Sequence, residues 1–357
     1  MRAQVLLLVC FSAASTVLAA EKPLKPEAIR RLPGTIGEQA RDVAWLDDDH
    51  LLLASERGVF RYSLKSGEAT EVLAGTAVPE GLPEPMAIAT DGATLVAVSP
   101  FSSGTFSSRL SDHKRLIAQR SHKVLASDVG VRGDRVCYLG FAGHPFGVVT
   151  PATAVLCGGP ADSWDELKPL HTISAGDAAA LIYRFSVPPY AGALVMETDG
   201  TTDVITSAEP GVFRYSASGV RIGVLGSKLR ELVLQDAEDL MKQYAVDVDK
   251  RYRLMLNKRA TIDGLVSTPD GMAIVVRLAE EDVIHWELWY PEAAGGATRR
   301  LRLGIERRGT FGHLRCNTRA DQMVCVGSTP TPAEAVDPRK SETVSTLWRF
   351  RLPNKSR

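Results

Sequence analysis

Gly58-Val59-Phe60-Arg61-Tyr62-Ser63 recurs, letter for letter, as Gly211-Val212-Phe213-Arg214-Tyr215-Ser216. The offset is 153 residues (211 less 58). That is too long for neighbouring coils of a solenoid and fits about three units of roughly 50 residues, the size of a four-stranded antiparallel sheet repeated around an axis. The residues around the first copy show the unit. Ala40–Leu46 is apolar, Asp47-Asp48-Asp49 turns, and His50–Ser55 is a second apolar strand. Gly58–Leu64 is a third and, after Lys65-Ser66-Gly67, Ala69–Leu73 a fourth. Four short strands joined by tight polar turns predict an antiparallel meander. The inner strands are apolar throughout and the outer ones alternate, as in a sheet packed between two neighbours with its edge in water.

The same grammar continues along the chain. A second unit opens at Met86–Thr90 and Thr94–Ser99, with Arg115–Gln119 as its edge; a third has Ala126–Val131, Val136–Gly140 and Ala152–Cys157. The fourth, Ala193–Thr198, Asp203–Ser207, Gly211–Ser216 and Val220–Leu225, holds the copied hexapeptide. The fifth has Gly264–Thr268, Ala273–Leu278, Val283–Tyr290 and Arg299–Leu303; the sixth has only Phe311–Asn317, Gln322–Gly327 and Val344–Leu352. Asp91-Gly92, Asp199-Gly200 and Asp270-Gly271 fall at one equivalent turn, between first and second strands. Glycine tolerates positive φ there and aspartate bonds its own backbone.

The last unit lacks an outer strand, and Ala28-Ile29-Arg30-Arg31-Leu32 is predicted to supply it by pairing with Thr346–Leu352. Closure of that kind leaves no open sheet edge within the ring. Through the Asp-Gly turns and the closing Leu347-Trp348-Arg349-Phe350-Arg351-Leu352 strand, the chain resembles six-bladed β-propellers of the broad TolB-like and NHL-like kind over about residues 28–352. The resemblance implies an all-β fold of four-stranded antiparallel blades. It is architectural and shared by many functions. Residues 174–191 are irregular and could hide a partial blade, so seven blades is the alternative. Residues 227–260 form an insertion. Within it Leu240, Tyr244, Val248 and Tyr252 recur at four-residue spacing behind Asp236, which predicts an α-helix over about 236–258.

Residues 1–19 read as a signal peptide: Arg2 precedes the apolar run Val5–Phe11, and Val17-Leu18-Ala19 offers a cleavage site. Residues 20–357 are then a single exported domain, periplasmic or secreted, with no further segment long enough to span a membrane and with a monomer as the expected state. Removal of Cys10 leaves Cys137, Cys157, Cys316 and Cys325. An even count in an oxidising compartment suggests two bridges, in one of three connectivities. Each of the pairs Cys137–Cys157 and Cys316–Cys325 lies within its own blade, whereas crossed pairs would span blades about half a ring apart, beyond disulfide reach. Those two bridges are therefore the expectation.

Lys+Arg 42 balances Asp+Glu 42, and aromatics make up 6% of the chain, so neither a basic field nor a stacking surface points to nucleic acid. Nucleophile-elbow and phosphate-loop glycine signatures are absent from the sequence, and no cofactor is implied. Asp47-Asp48-Asp49-His50 reads as a solvated turn, because neighbouring strand residues point to opposite faces. The preformed concavity of such a ring is its axis. By strand order, the loops entering first strands and those joining second to third strands line one mouth. They carry Arg41, Glu56, Glu84, His122, His144, Glu209, Asp263 and His313, with Phe141 and Phe146 flanking His144 in a Gly- and Pro-shaped loop. These candidates are mixed in sign and fit an unknown protein or small-molecule ligand. The favoured reading is thus a binding module of the cell envelope or extracellular space, rather than an enzyme. The alternative is a metal-dependent propeller hydrolase or lactonase whose cation takes oxygens from Glu84, Asp128, Glu197 and Asp263. Against it, no acid-bearing motif is evident as a repeat at the first-strand starts.

Overall fold

The computed structural model describes residues 22–37, 39–74, 85–99, 104–111, 115–120, 124–142, 153–173, 192–233, 260–280, 283–292, 299–308, 313–330 and 343–353. The leader, the helix expected at 236–258, Glu84, His122, His144 and Phe146 lie outside the described residues, as do the side chain of Phe141 and the segment 174–191. The strands form six four-stranded antiparallel sheets. Blade one is Ala40–Trp45, His50–Ser55, Gly58–Ser63 and Ala69–Ala74. Blade two is Ala87–Thr90, Thr94–Ser99, Gly104–Arg109 and Arg115–Arg120. Blade three is Val124–Arg132, Arg135–Ala142, Thr153–Gly158 and Lys168–Thr172. Blade four is Gly192–Met196, Thr202–Thr206, Val212–Tyr215 and Arg221–Leu225. Blade five is Thr261–Thr268, Gly271–Glu280, Val283–Tyr290 and Arg299–Arg308. Blade six is Arg315–Arg319, Gln322–Pro330, Thr343–Arg351 and, from the other end of the chain, Ala28–Arg31.

Closure joins the predicted segments, with Ile29 opposite Trp348 and Arg31 opposite Thr346. The ring contains six blades and not seven. First strands touch in the order one to six and back to one, and that of blade three packs directly on that of blade four. No room is left on the axis for a blade drawn from residues 174–191. The fourth strand of blade three, Lys168–Thr172, has no counterpart in the sequence reading; its Pro169 suits an edge, where a missing N–H costs nothing.

The core is six apolar layers, one between each pair of neighbouring blades. The Asp-Gly turns work as their chemistry requires. Gly92, Gly200 and Gly271 have φ of 91°, 84° and 110°, and Asp91 Oδ1 accepts the N–H groups of Ala93 and Thr94. Both bridges form as expected between directly opposed residues, with Cα–Cα distances of 4.1 Å for Cys137–Cys157 and 4.0 Å for Cys316–Cys325. Among the described residues the only helical turn is Arg230–Leu232, and no helix is long and apolar enough to cross a membrane.

Candidate functional site: the axial funnel

The axis is polar at its heart. Asp42, Asp128 and Asp263 occupy equivalent positions on the first strands of blades one, three and five, each buried, and each clamps the following blade. Asp42 Oδ2 accepts the N–H of Ile88 at 2.8 Å, Asp128 Oδ2 that of Leu194 at 2.9 Å, and Asp263 Oδ2 that of Leu314 at 2.8 Å. The other oxygen of Asp42 accepts the N–H of Val43, and that of Asp128 the N–H of Val129. A β-bulge lies at or beside each aspartate and turns the carboxylate toward the neighbouring blade. These three acids correct the sequence reading: an acid does repeat at the first-strand starts. Ala40-Arg41-Asp42-Val43 and Ala126-Ser127-Asp128-Val129 were the available signal. It was obscured because every second blade lacks the acid and the insertions make the spacing uneven.

Arg315 in blade six is the cation shared by the three acids. It is 4% exposed, donates from Nη1 to the carbonyl of Asp263 at 2.9 Å, and its buried Nη2 has no hydrogen-bond partner among the described residues. Burial raises all three carboxyl pKa values, Asp42 to about 7, Asp263 to about 6, and Asp128 upward as well; Arg315 pulls against it at Asp42 and Asp128, while at Asp263 Arg277 does so ahead of Arg315. The sequence reading missed Asp42 and Arg315; nothing local marks an arginine on an inner strand as axial.

Of the expected mouth residues, the structure brings Arg41, Asp263 and His313 together. The His313 ring bonds the backbone of Arg41, and burial, followed by the guanidinium groups of Arg315, Arg41 and Arg307, pushes its pKa down to about 4. Arg41 itself reaches the sulfur of Met86. Glu209 lies elsewhere, 3.1 Å from His171, whose Nδ1 meets the Tyr215 hydroxyl at 2.7 Å. Glu56 accepts the N–H of Gln39 at the rim. Of the alternative metal set, Asp128 and Asp263 spend oxygens on the clamps and Glu197 stands at the far end of the axis. Among the described residues no three His, Cys, Asp or Glu side chains form a metal-holding group.

The described cavity opens at the end opposite to that mouth, where first strands turn into second strands. It encloses about 840 Å³. Trp45, Met196 and Leu265 form its walls, and Asp91, Arg132, Glu197 and Arg319 stand at its rim. It narrows inward to a neck of about 120 Å³ that shares Trp45, Met196 and Asn317 with the mouth and reaches Asp42, Asp128 and Arg315. Trp45 is fixed there by donating from Nε1 to the carbonyl of Asn317 at 3.3 Å. The result is a funnel, wide and mixed in charge outside and narrow inside, with Asp42, Asp128 and Arg315 among the residues around the neck.

Fold and site thus define a six-bladed β-propeller with an axial funnel. No protein-family model and no curated protein sequence matches this chain. Similar solved structures include the WD40 repeats of RRP9, at 12% identity and a TM-score of 0.47 over 92% of this chain and 99% of that one. A chain of the mitotic checkpoint complex follows at 10% and 0.48, over 99% of both. The extracellular domain of the putative one component system BT4673 from B. thetaiotaomicron gives 8% and 0.45, over 86% of this chain and 32% of that one. At these identities the likeness concerns architecture alone, and the assignment of six blades rests on the strand pairing.

Proposed function

We propose that this chain is an exported binding module whose ligand or partner docks in the axial funnel from the end where first strands turn into second strands. The observation that carries the reading is the funnel itself, a preformed concavity on the axis whose lining mixes apolar with polar and charged side chains. Export is supported by the two bridges, which suit an oxidising compartment, and by the leader-like residues 1–19. Arg132 and Glu197 stand on neighbouring blades at the rim, so a partner placed there meets both signs of charge.

The test is capture from the native envelope by the wild type, by Arg132→Glu and by Glu197→Lys, each checked for unchanged thermal stability. A partner lost by the rim variants and kept by Arg61→Glu, an exposed residue on the third strand of blade one, supports the reading. A partner held equally by all four proteins overturns it.

A further inference from the structure

The clamps that hold the ring also change what its axis offers. The first strand of each blade stands last in its sheet, so one of its edges faces the axis. Along an antiparallel strand, a residue outside the ladder bonds turns its N–H and its C=O to the same free edge. Val43, Ile88, Val129 and Leu194, on the first strands of blades one to four, are such residues and line the neck. Their N–H groups are spent on carboxylates. Asp42 accepts those of Val43 and Ile88 at 2.9 and 2.8 Å, and Asp128 those of Val129 and Leu194, both at 2.9 Å. The four carbonyls on the same edges have no further strand to receive them. This layer of the neck therefore offers backbone acceptors without backbone donors. Asp42 and Asp128 stand beside it, and the Arg315 guanidinium that faces both acids is already engaged with the carbonyl of Asp263.

We propose that the neck receives the tip of a primary alkylammonium ligand, whose N–H groups bond the carbonyls of Val43, Ile88, Val129 and Leu194. The inference rests on the funnel reading above and names the chemistry of its occupant. A primary ammonium has three donors and no acceptor, so it matches a layer whose own donors are taken. Its bonds belong to the stronger, charge-assisted class. A carboxylate tip would meet acceptors with its own acceptors. Trp45 and Met196 line both neck and mouth, so a stem leaving the neck passes them on its way out. An inorganic ion such as potassium is one rival, because backbone carbonyls also replace the hydration shell of such an ion. Water is the other, since the same space holds about four molecules at ~30 Å³ each.

Titration calorimetry of the purified protein at low salt with butylammonium, butanol, butyltrimethylammonium and potassium chloride decides between them. Butylammonium should bind about ten- to a hundredfold more tightly than butanol, the gain from hydrogen bonds made by a charged group. Butyltrimethylammonium keeps the charge and the stem but has no N–H, and should lose about as much. Met196→Lys sets a like charge where the neck meets the mouth and should abolish butylammonium binding; the wild-type series carries the test if that variant fails to fold. Butylammonium that binds no better than butyltrimethylammonium overturns the proposal, because charge at the mouth then suffices. Potassium chloride that displaces butylammonium at equal concentration overturns it in favour of an inorganic ion, and no binding by any of the four in favour of a water-filled neck. Butylammonium binding untouched in a folded Met196→Lys protein places the ligand elsewhere and overturns it too. Partner capture that depends on Arg132 and Glu197, with no ammonium bound, leaves the mouth reading standing and sinks this one alone.

Discussion

The first strands of blades one, three and five bury an aspartate that those of blades two, four and six lack, while blades one and four share a third strand letter for letter. The two regions repeat on different periods because they face different surroundings. A first strand meets the axis, and its carboxylate reaches across to the next blade, so one clamp joins two blades and three serve the ring. A third strand lies between apolar layers, and those of blades one, four and six look alike. Phe60 and Tyr62, Phe213 and Tyr215, and Trp348 and Phe350 are all buried, and the arginine between each pair is less so. The axis is therefore a ring of blade pairs, and the body around it a ring of single blades.

If the axis depends on shared charge, Arg315→Met should be the most damaging change there. It leaves Asp42 and Asp128 without the cation that faces them and Asp263 with Arg277 alone, a kind of loss that costs about 3–5 kcal/mol. The effect should depend on pH. Without Arg315 the folded-state carboxyl pKa values rise further above their unfolded value of 3.8, so the folded chain holds protons that the unfolded chain has released. The added instability is small in acid and grows as pH climbs through about 6 to 7. Urea unfolding at about pH 5 and about pH 8 measures both ends; an equal loss at the two would show that Arg315 does not hold the acids.

The bridges act away from the axis, each tying two strands of a single blade. Replacing either pair with alanine should cost about 3 kcal/mol, with Cys137–Cys157 about 0.7 kcal/mol above Cys316–Cys325 because it closes the longer loop. Thermal unfolding of the two double variants would show this, and a loss near zero for either would mean that the unfolded chain without that bridge retains enough structure to hold the two strands near each other.

Asp42→Asn tests one clamp by its titration. The wild-type carboxyl has its pKa raised from 3.8 to about 7 by burial. Its contribution is fully present below the unfolded value and is lost as pH rises through the folded one, at about 1.4 kcal/mol per pH unit inside that window. The amide does not titrate and leaves one N–H poorly matched. It should therefore cost about 2 kcal/mol in acid and progressively less toward pH 8. Parallel stability–pH curves for the two proteins would contradict the raised pKa.

The blades were legible in the sequence because their signals are local. Strand alternation, Asp-Gly turns and cysteines within one blade each require only neighbouring residues, and closure followed from counting strands. The axis was much less legible. Asp42, Asp128, Asp263 and Arg315 lie up to 273 residues apart (315 less 42) and meet only when the ring closes. Asp128 and Asp263 were singled out as oxygen donors to a cation, yet their oxygens accept N–H groups of the next blade. The wide end of the funnel was missed for the opposite reason: its lining is turn residues such as Asp91 and Thr268, whose role as punctuation hides their place on the axis.

The smallest expected effect separates the two copies of the hexapeptide from each other. Arg214 donates from Nε to Oδ1 of Asp203 at 2.8 Å, and Asp203 is fully buried with its pKa raised to about 6, chiefly by that burial. Arg61 instead lies 3.8 Å from Asp47 at the surface, where His50 already bonds the same carboxylate at 2.8 Å. Removing Arg214 strands a buried carboxylate, although water reaches the guanidinium side and reduces the loss, so Arg214→Ala should cost about 1 kcal/mol. Arg61→Ala breaks only exposed contacts, with Asp47 and with the His50 ring, and should stay within about 0.5 kcal/mol. Raising the salt should leave the first loss nearly intact and erase the second, because screening acts on exposed charges far more than on buried ones. Equal losses at low salt would mean that the identical letters carry identical work, and that the second strand beneath them, Asp203 in one blade and Leu52 in the other, does not set what the arginine is for.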